Sequence, residues 1–300
     1  AKGILKHEMS RFFAAHKNEW EALHIHAPHF AVFISPQAKK AGIKKICCHC
    51  HTTWYSLFPK NEFRNRLLAA PVKCLAGTRF ACGTDAGKFW FKDNFYVLAN
   101  AVGCAAFRFD EKRREKARQS LGFGDCLVCG NVGRLYPPQK NHPFILKIFA
   151  EVKKQRSDAK LLLVGAEEEP SLLSLAKKLE IEKDVLFLGQ RRDVADLLFA
   201  MDVFLFPSLR EGLPVAAIEA QASGLPVLMA STITREALVA PNAKMLSLEA
   251  SPREWANAAA SAALEARKDN YDIMKAAGWD IKERAARLAE YYRTGVFRDF

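Results

Sequence analysis

The sequence predicts an α/β protein of two Rossmann-like, parallel-sheet lobes, and three observations predict it. Short apolar runs recur along the chain, each with glycine or proline at or near its C-terminal end. Stretches with apolar residues at helical spacing fill the gaps between them. The alternation is regular after residue 125 and looser before residue 100, so the chain reads as two lobes of unequal completeness.

In the later lobe the strand candidates are CLVCGNVGRL (126–135), KLLLVG (160–165), VLFLG (185–189), VFLFP (203–207) and PVLMA (226–230). Between them, HPFILKIFAEVKKQ places Phe144, Ile145, Ile148, Phe149 and Val152 on one helical face, with Asn141 and Pro143 as start signals. SLLSLAKKLE and VADLLFAM fill the next two gaps. Strands alternating with helices imply a parallel sheet covered on both sides, with ligands at the carboxyl ends of the strands.

The first hundred residues offer ALHIHA (22–27), KKICCH (44–49), RFACG (79–83) and FYVLAN (95–100). Four strands are few for an independent doubly wound domain. The expected division is a partial N-terminal lobe over 1–103, a C-terminal lobe over 104–278, and a closing helix over 279–300 that packs back towards the first lobe. The basic stretch EKRREKAR (111–118) is expected to be a solvated helix face in the connection.

Half of the 300 residues are hydrophobic, ample for two cores. No apolar run reaches the roughly 18 residues that span a bilayer, and the charged start is no signal peptide. The expected location is therefore the cytoplasm. The net charge of +12 points to acidic partners. Nucleic acid is not expected among them, because no aromatic-basic binding motif accompanies the charge. Eight cysteines without an export signal imply reduced thiols.

Two clusters carry chemistry. VGRLYPPQKN sets Arg134 and Lys140 just after a strand, and EGLPVAAIEA sets Glu211 and Glu219 where a strand and loop give way to a helix. Pro214 suits that helix's first turn, and the two carboxylates would stand about 10 Å apart along it. The helix start between them offers unpaired N–H groups and a positive dipole end. An elongated ligand with hydroxyls at both ends and phosphates in the middle fits this pattern, as a nucleotide sugar does. Arg134 and Lys140 would meet its diphosphate.

The run from VGRLYPPQKN through AKLLLVG and VLFLGQRRDVADLLFAMDVFLFPSLREGLPVAAIEAQASGLPV resembles the C-terminal lobe of family 4 retaining glycosyltransferases of the GT-B fold, nearest to the exopolysaccharide and capsule type. LHIHA, CHCHTTW and FACGTDAGKFWF are similar to the later part of the family's N-terminal lobe. The resemblance implies an acceptor-side first lobe and a nucleotide-sugar-binding second lobe. It implies that Arg134 and Lys140 neutralise the donor diphosphate and that Glu211 holds donor-sugar hydroxyls. It further implies that the segment Gly212, Leu213 and Pro214 puts backbone amides on the phosphates, that Glu219 binds the ribose, and that GQRRD (189–193) lies near the base. His51 matches the family histidine that faces the donor sugar. The implied reaction moves a sugar from a nucleoside diphosphate, with UDP the expected one, to a saccharide or lipid-linked acceptor, with peripheral contact to an anionic inner-membrane face. The alternative is a non-catalytic nucleotide-sugar-binding remnant.

No cofactor and no metal are expected, and no D-x-D motif occurs. In KKICCHCHTTW (44–54), strand alternation would turn Cys48 and Cys50 one way and Cys47, His49 and His51 the other. That pattern is poor for the four ligands of a zinc site. The family's first strand and glycine-rich loop have no counterpart, and the chain opens on Ala1, so a fragment or a pared-down first lobe is expected.

Overall fold

A computed structural model describes residues 2–134, 138–165 and 169–298. Contacts divide the chain into two compact units, Ala1–Asn100 with Lys282–Phe300, and Ala101–Ile281.

The first unit holds four parallel strands in the order β1-β2-β3-β4: Ala22–Ile25 (β1), Lys45–Cys50 (β2), Thr78–Ala81 (β3) and Tyr96–Val97 (β4). Residues Ile46 to Cys50 of β2 are all buried, as in a parallel strand covered on both faces. The helix Ile281–Thr294 brings Tyr291 against this sheet. There the Tyr291 hydroxyl bonds Thr78 Oγ1 at 2.6 Å and Cys47 Sγ at 3.2 Å, among Phe80, Leu98 and Phe297.

The second unit is a six-stranded parallel sheet: Val128–Val132 (β5), Lys160–Val164 (β6), Val185–Phe187 (β7), Val203–Phe206 (β8), Val227–Ala230 (β9) and Ala243–Leu246 (β10). Its order is β10-β9-β8-β5-β6-β7. The chain builds outward from β5 through β6 and β7, then returns to place β8 on the other side of β5. The crevice between the loops after β5 and β8 is thus the topological switch point where such sheets bind ligands. Leu161, Leu162, Leu163, Phe204, Leu205 and Phe206 are completely buried, each contributing roughly 1.5–3 kcal/mol by leaving water. The helix His142–Gln155 lies beside Pro252–Ala262, with Phe144 edge-on to Trp255 at 5.9 Å and Gln155 Nε2 donating to Asn257 Oδ1.

Three expectations need correction. The strand β10 was not among the candidates: it is a sheet edge of four residues whose burial is mixed, so it lacks the continuous apolar run of its neighbours. Pro214 is the N-cap of the helix Val215–Ala222 rather than part of its first turn. The basic run is not simply a solvated face. In the helix Glu111–Ser120, Arg114 donates to the carbonyls of Phe199 and Met201, and to Asp202 at 2.6 Å. Arg118, 9% exposed, donates to Gly124, Cys126 and Ala200 carbonyls. These cations satisfy carbonyls at and beyond the C-terminal end of the helix Val194–Ala200, where a positive charge is favoured. Among the described residues no helix is long and apolar enough to cross a membrane.

Candidate functional site

Glycines close the floor of the switch point. Gly133, just past β5, donates its N–H to Val164 O at 2.9 Å, and Gly165, just past β6, donates to Gly189 O at 2.5 Å. Gly165 has φ +80°, and a Cβ there would lie 3.3 Å from Gly133 O; glycine alone meets both demands without strain. A Cβ on Gly133 would press on the Lys140 side chain at 3.2–3.3 Å. Small residues thus keep the floor of the crevice clear of side chains.

Among the described residues, three links lace the loops after β5 and β8. Leu209 N–H donates to Gln139 O at 2.8 Å, and Asn141 Nδ2 to Pro207 O at 3.2 Å. Asn141 adopts the left-handed conformation at φ 58°, which asparagine tolerates better than most residues. The third link is Lys140 Nζ to Glu211 Oε1 at 2.9 Å. From the loop after β9, Thr232 Oγ1 donates to Ser208 O at 3.0 Å. Lys140 also sits 4.7 Å from the Phe206 ring centroid, a cation–π contact that fixes its ammonium over the end of β8.

The predicted donor residues therefore fall around one crevice of the second unit. Lys140 and Glu211 are in direct contact. Arg134 is exposed just after β5; residues 135–137 of its loop lie outside the described residues. Gly212, Leu213 and Pro214 are buried ahead of the helix Val215–Ala222. That helix has no capping side chain and no acidic residue in its first turn, so its N–H groups and dipole are not neutralised there. Glu219 lies further along the same helix, and burial pushes its carboxyl up to about 7. In GQRRD, Arg191 and Asp193 form an exposed pair at 2.7 Å.

Sequence reasoning missed His142, Asn131 and Ser208, all buried with a polar atom lacking a hydrogen bond. Burial, aided by Lys140, lowers His142 to about 4. The pattern HP before an apolar helix read only as a start signal, and nothing in it announces burial. Size alone does not mark the site. A cavity of about 680 Å³ lies at the opposite, amino ends of β5 and β8, lined by Arg114, Arg118 and Asp202, which already pair with one another.

His51 belongs to the first unit, one residue past β2. Its Nε2 and His26 Nδ1 are 2.9 Å apart. Burial and His26 lower its imidazole to about 4, opposed by a bond with the Asn100 side chain. The following loop is fixed by Trp90 Nε1, which donates to Thr52 O at 2.7 Å, and by Thr52 Oγ1 donating to Trp54 O. The alternation expected of β2 does bring His49 and His51 together, their rings 4.1 Å apart. The sequence reading missed that β1 adds His24 and His26 to the same cluster.

Comparison with known proteins gives this geometry a context. Residues 127–264 match the family described as glycosyl transferases group 1. The chain is 31% identical over 306 residues to EpsF of Bacillus subtilis (strain 168), a protein that carries the name of a glycosyltransferase, spanning 93% of this chain and 76% of EpsF. It is 27% identical over 257 residues to the UDP-Gal:alpha-D-GlcNAc-diphosphoundecaprenol alpha-1,3-galactosyltransferase of Escherichia coli, spanning 78% of this chain and 64% of that one. Among solved structures, Anabaena Alr3699/HepE in complex with UDP aligns with a TM-score of 0.80 at 19% identity, over 95% of this chain and 82% of that one. Sucrose-phosphate synthase from Thermosynechococcus elongatus aligns with a TM-score of 0.80 at 18% identity, over 96% and 77%. The structural likenesses establish the fold, which is GT-B with two parallel-sheet lobes.

Proposed function

This chain belongs to the group 1 glycosyltransferases, and from that premise we propose that it transfers a sugar from a UDP-sugar to a saccharide or lipid-linked saccharide, with retention at the anomeric carbon and without a metal. The observation that carries this reading is the switch point itself, where Lys140, Glu211 and an uncapped helix start converge. The choice of UDP draws support from the UDP and UDP-glucose complexes of HepE, and the lipid-linked acceptor from the Escherichia coli relative.

In this reading the diphosphate lies against Arg134, Lys140 and the backbone N–H groups of Gly212 and Leu213, in the segment that Pro214, which has no N–H, closes. Lys140 exchanges its contact with Glu211 for one with the phosphates, which releases the carboxylate to accept hydrogen bonds from donor-sugar hydroxyls. Glu219 accepts hydrogen bonds from the ribose. The acceptor hydroxyl forms its bond to the anomeric carbon on the side from which UDP departs. The bond between that carbon and the β-phosphate oxygen breaks, and the acceptor proton leaves on the departing phosphate. Fixed positive charge stabilises that phosphate as it departs, the role a metal plays elsewhere. His51 supplies an imidazole to the reaction.

The first unit also fits a peripheral contact with an anionic membrane surface. Its helix Pro59–Ala69 exposes Phe63 and Leu67, four residues apart, beside Lys60, Arg64 and Arg66. Apolar side chains flanked by basic ones suit a headgroup interface.

The test is calorimetric titration with UDP, GDP and ADP in a chelator, on the unmodified chain and on Glu219→Ala, paired with an assay for UDP release from UDP-glucose. Micromolar binding of UDP, weakened by the substitution, supports the donor site. Binding of GDP or ADP instead reassigns the base, and absence of all three leaves only a remnant.

A further inference from the structure

The two H-x-H segments of the first unit are brought side by side by the sheet. Parallel register pairs His24 with Cys47 and Ile25 with Cys48, so the next step sets His26 level with His49. A period of two then turns His24, His26, His49 and His51 to one face. The ring centroids confirm it: 4.5 Å for His24–His26, 5.3 Å for His24–His49 and 5.5 Å for His26–His49.

The nitrogens of this cluster are under-used. His49 is 4% exposed; a bond with the Leu98 backbone engages at most one of its ring nitrogens, and among the described residues no other partner reaches the ring. His24 Nδ1 is bonded to the Tyr292 hydroxyl at 2.5 Å, while its Nε2 is buried without a partner. His26 is exposed and engages His51 through Nδ1, leaving Nε2. Buried polar atoms without partners are rare in folded proteins and call for an explanation.

We propose that His24, His26 and His49 form a binding site for one divalent first-row transition metal such as zinc, joining β1 to β2. One nitrogen from each lies within 4.8 Å of the others. Metal–nitrogen bonds of about 2.0–2.1 Å in tetrahedral geometry require ligand atoms about 3.4 Å apart, so the rings draw in by somewhat over an ångström. Rotation of exposed His26 supplies its share of that movement, and small turns of the His24 and His49 rings supply the rest. The Tyr292 hydroxyl fixes the His24 ring through its other nitrogen, as partners behind metal-bound histidines do. An all-imidazole set favours zinc, nickel, copper or cobalt over magnesium and calcium, which take oxygen. Three protein ligands leave one position open. The transfer proposed above draws no charge from this ion.

The experiment uses the untagged full chain, stripped with a chelator, dialysed, and titrated with Co²⁺ as a visible probe and with Zn²⁺ in competition. The expected result is one equivalent of Co²⁺ with the strong d–d bands of four-coordination, displaced by Zn²⁺. His26→Ala, at an exposed position that the fold tolerates, and His49→Ala both abolish the bands, and His16→Ala retains them. Tyr292→Phe weakens the affinity by about tenfold to a hundredfold. Absence of stoichiometric Co²⁺ binding overturns the proposal. So does binding that survives His26→Ala, or that is lost in His16→Ala.

Discussion

Lys140 and Glu211, 71 residues apart, form a 2.9 Å ion pair in which the carboxylate side chain is only 8% exposed. The pair joins the loop after β5 to the loop after β8. It holds a cation and an anion together at the place where a charged donor is proposed to enter. Removing one partner strands the other in a poorly solvated place. Lys140→Met is expected to destabilise the fold by about 3 kcal/mol, the lower end for a broken buried pair because Lys140 keeps some solvent. Adding Glu211→Gln should restore part of that loss, as measured by urea unfolding of both singles and the double. The same Lys140→Met should reduce kcat for UDP release by about 10²- to 10³-fold.

Glu219 gives a dependence on pH. Its folded carboxyl titrates near 7 because of burial, above the ordinary value of 4.5. Between those values this group holds more proton in the native state than in the unfolded state, so its own contribution is most favourable below 4.5 and is lost as pH rises through 7. The lowered values of His24, His51 and His142 make stability rise over much of the same range. The urea midpoint of Glu219→Gln, taken relative to that of the unmodified chain at each pH, should therefore rise from pH 4.5 to 7.5. Affinity of the unmodified chain for UDP-glucose should rise through pH 7 as the carboxylate forms. That rise should vanish in Glu219→Gln.

Gly165→Ala tests the floor of the crevice. The φ of +80° costs a side chain roughly 1–2 kcal/mol, to be read as a lowered urea midpoint. The new methyl group also crowds Gly133 O, so UDP affinity should weaken more than in a surface Gly→Ala control such as Gly124→Ala, where nothing lies within 4 Å.

Arg118→Met should destabilise the second unit by about 2–3 kcal/mol, since it leaves the carbonyls of Gly124, Cys126 and Ala200 without their donor. Turnover at a temperature well below unfolding should be unchanged. A lowered Tm with normal kcat identifies the basic run as structural.

Phe63→Ser with Leu67→Ser should reduce co-sedimentation with vesicles rich in anionic phospholipid. Neutral vesicles should bind weakly in every case, and 0.5 M salt should release the unmodified chain, as expected when roughly one Debye length governs the attraction. Equal binding to neutral vesicles would count against the electrostatic part of the contact.

The strands of the second unit were legible because buried parallel strands must be apolar on both faces, and residues 160–164 and 203–206 show it directly. Helix His142–Gln155 was legible because its apolar residues repeat at the helical period. The candidate donor residues Arg134, Lys140 and Glu211 could be picked out because each stands in a loop that follows a strand run. These are local properties, written in spacing and residue type, so a linear reading captures them. The pairing of Lys140 with Glu211, the capping by Arg114 and Arg118, the edge strand β10 and the gathering of four histidines depend on which strands become neighbours and in what register. Register is a property of two segments at once. Only the folded sheet sets His26 level with His49, or brings the loop after β5 against the loop after β8.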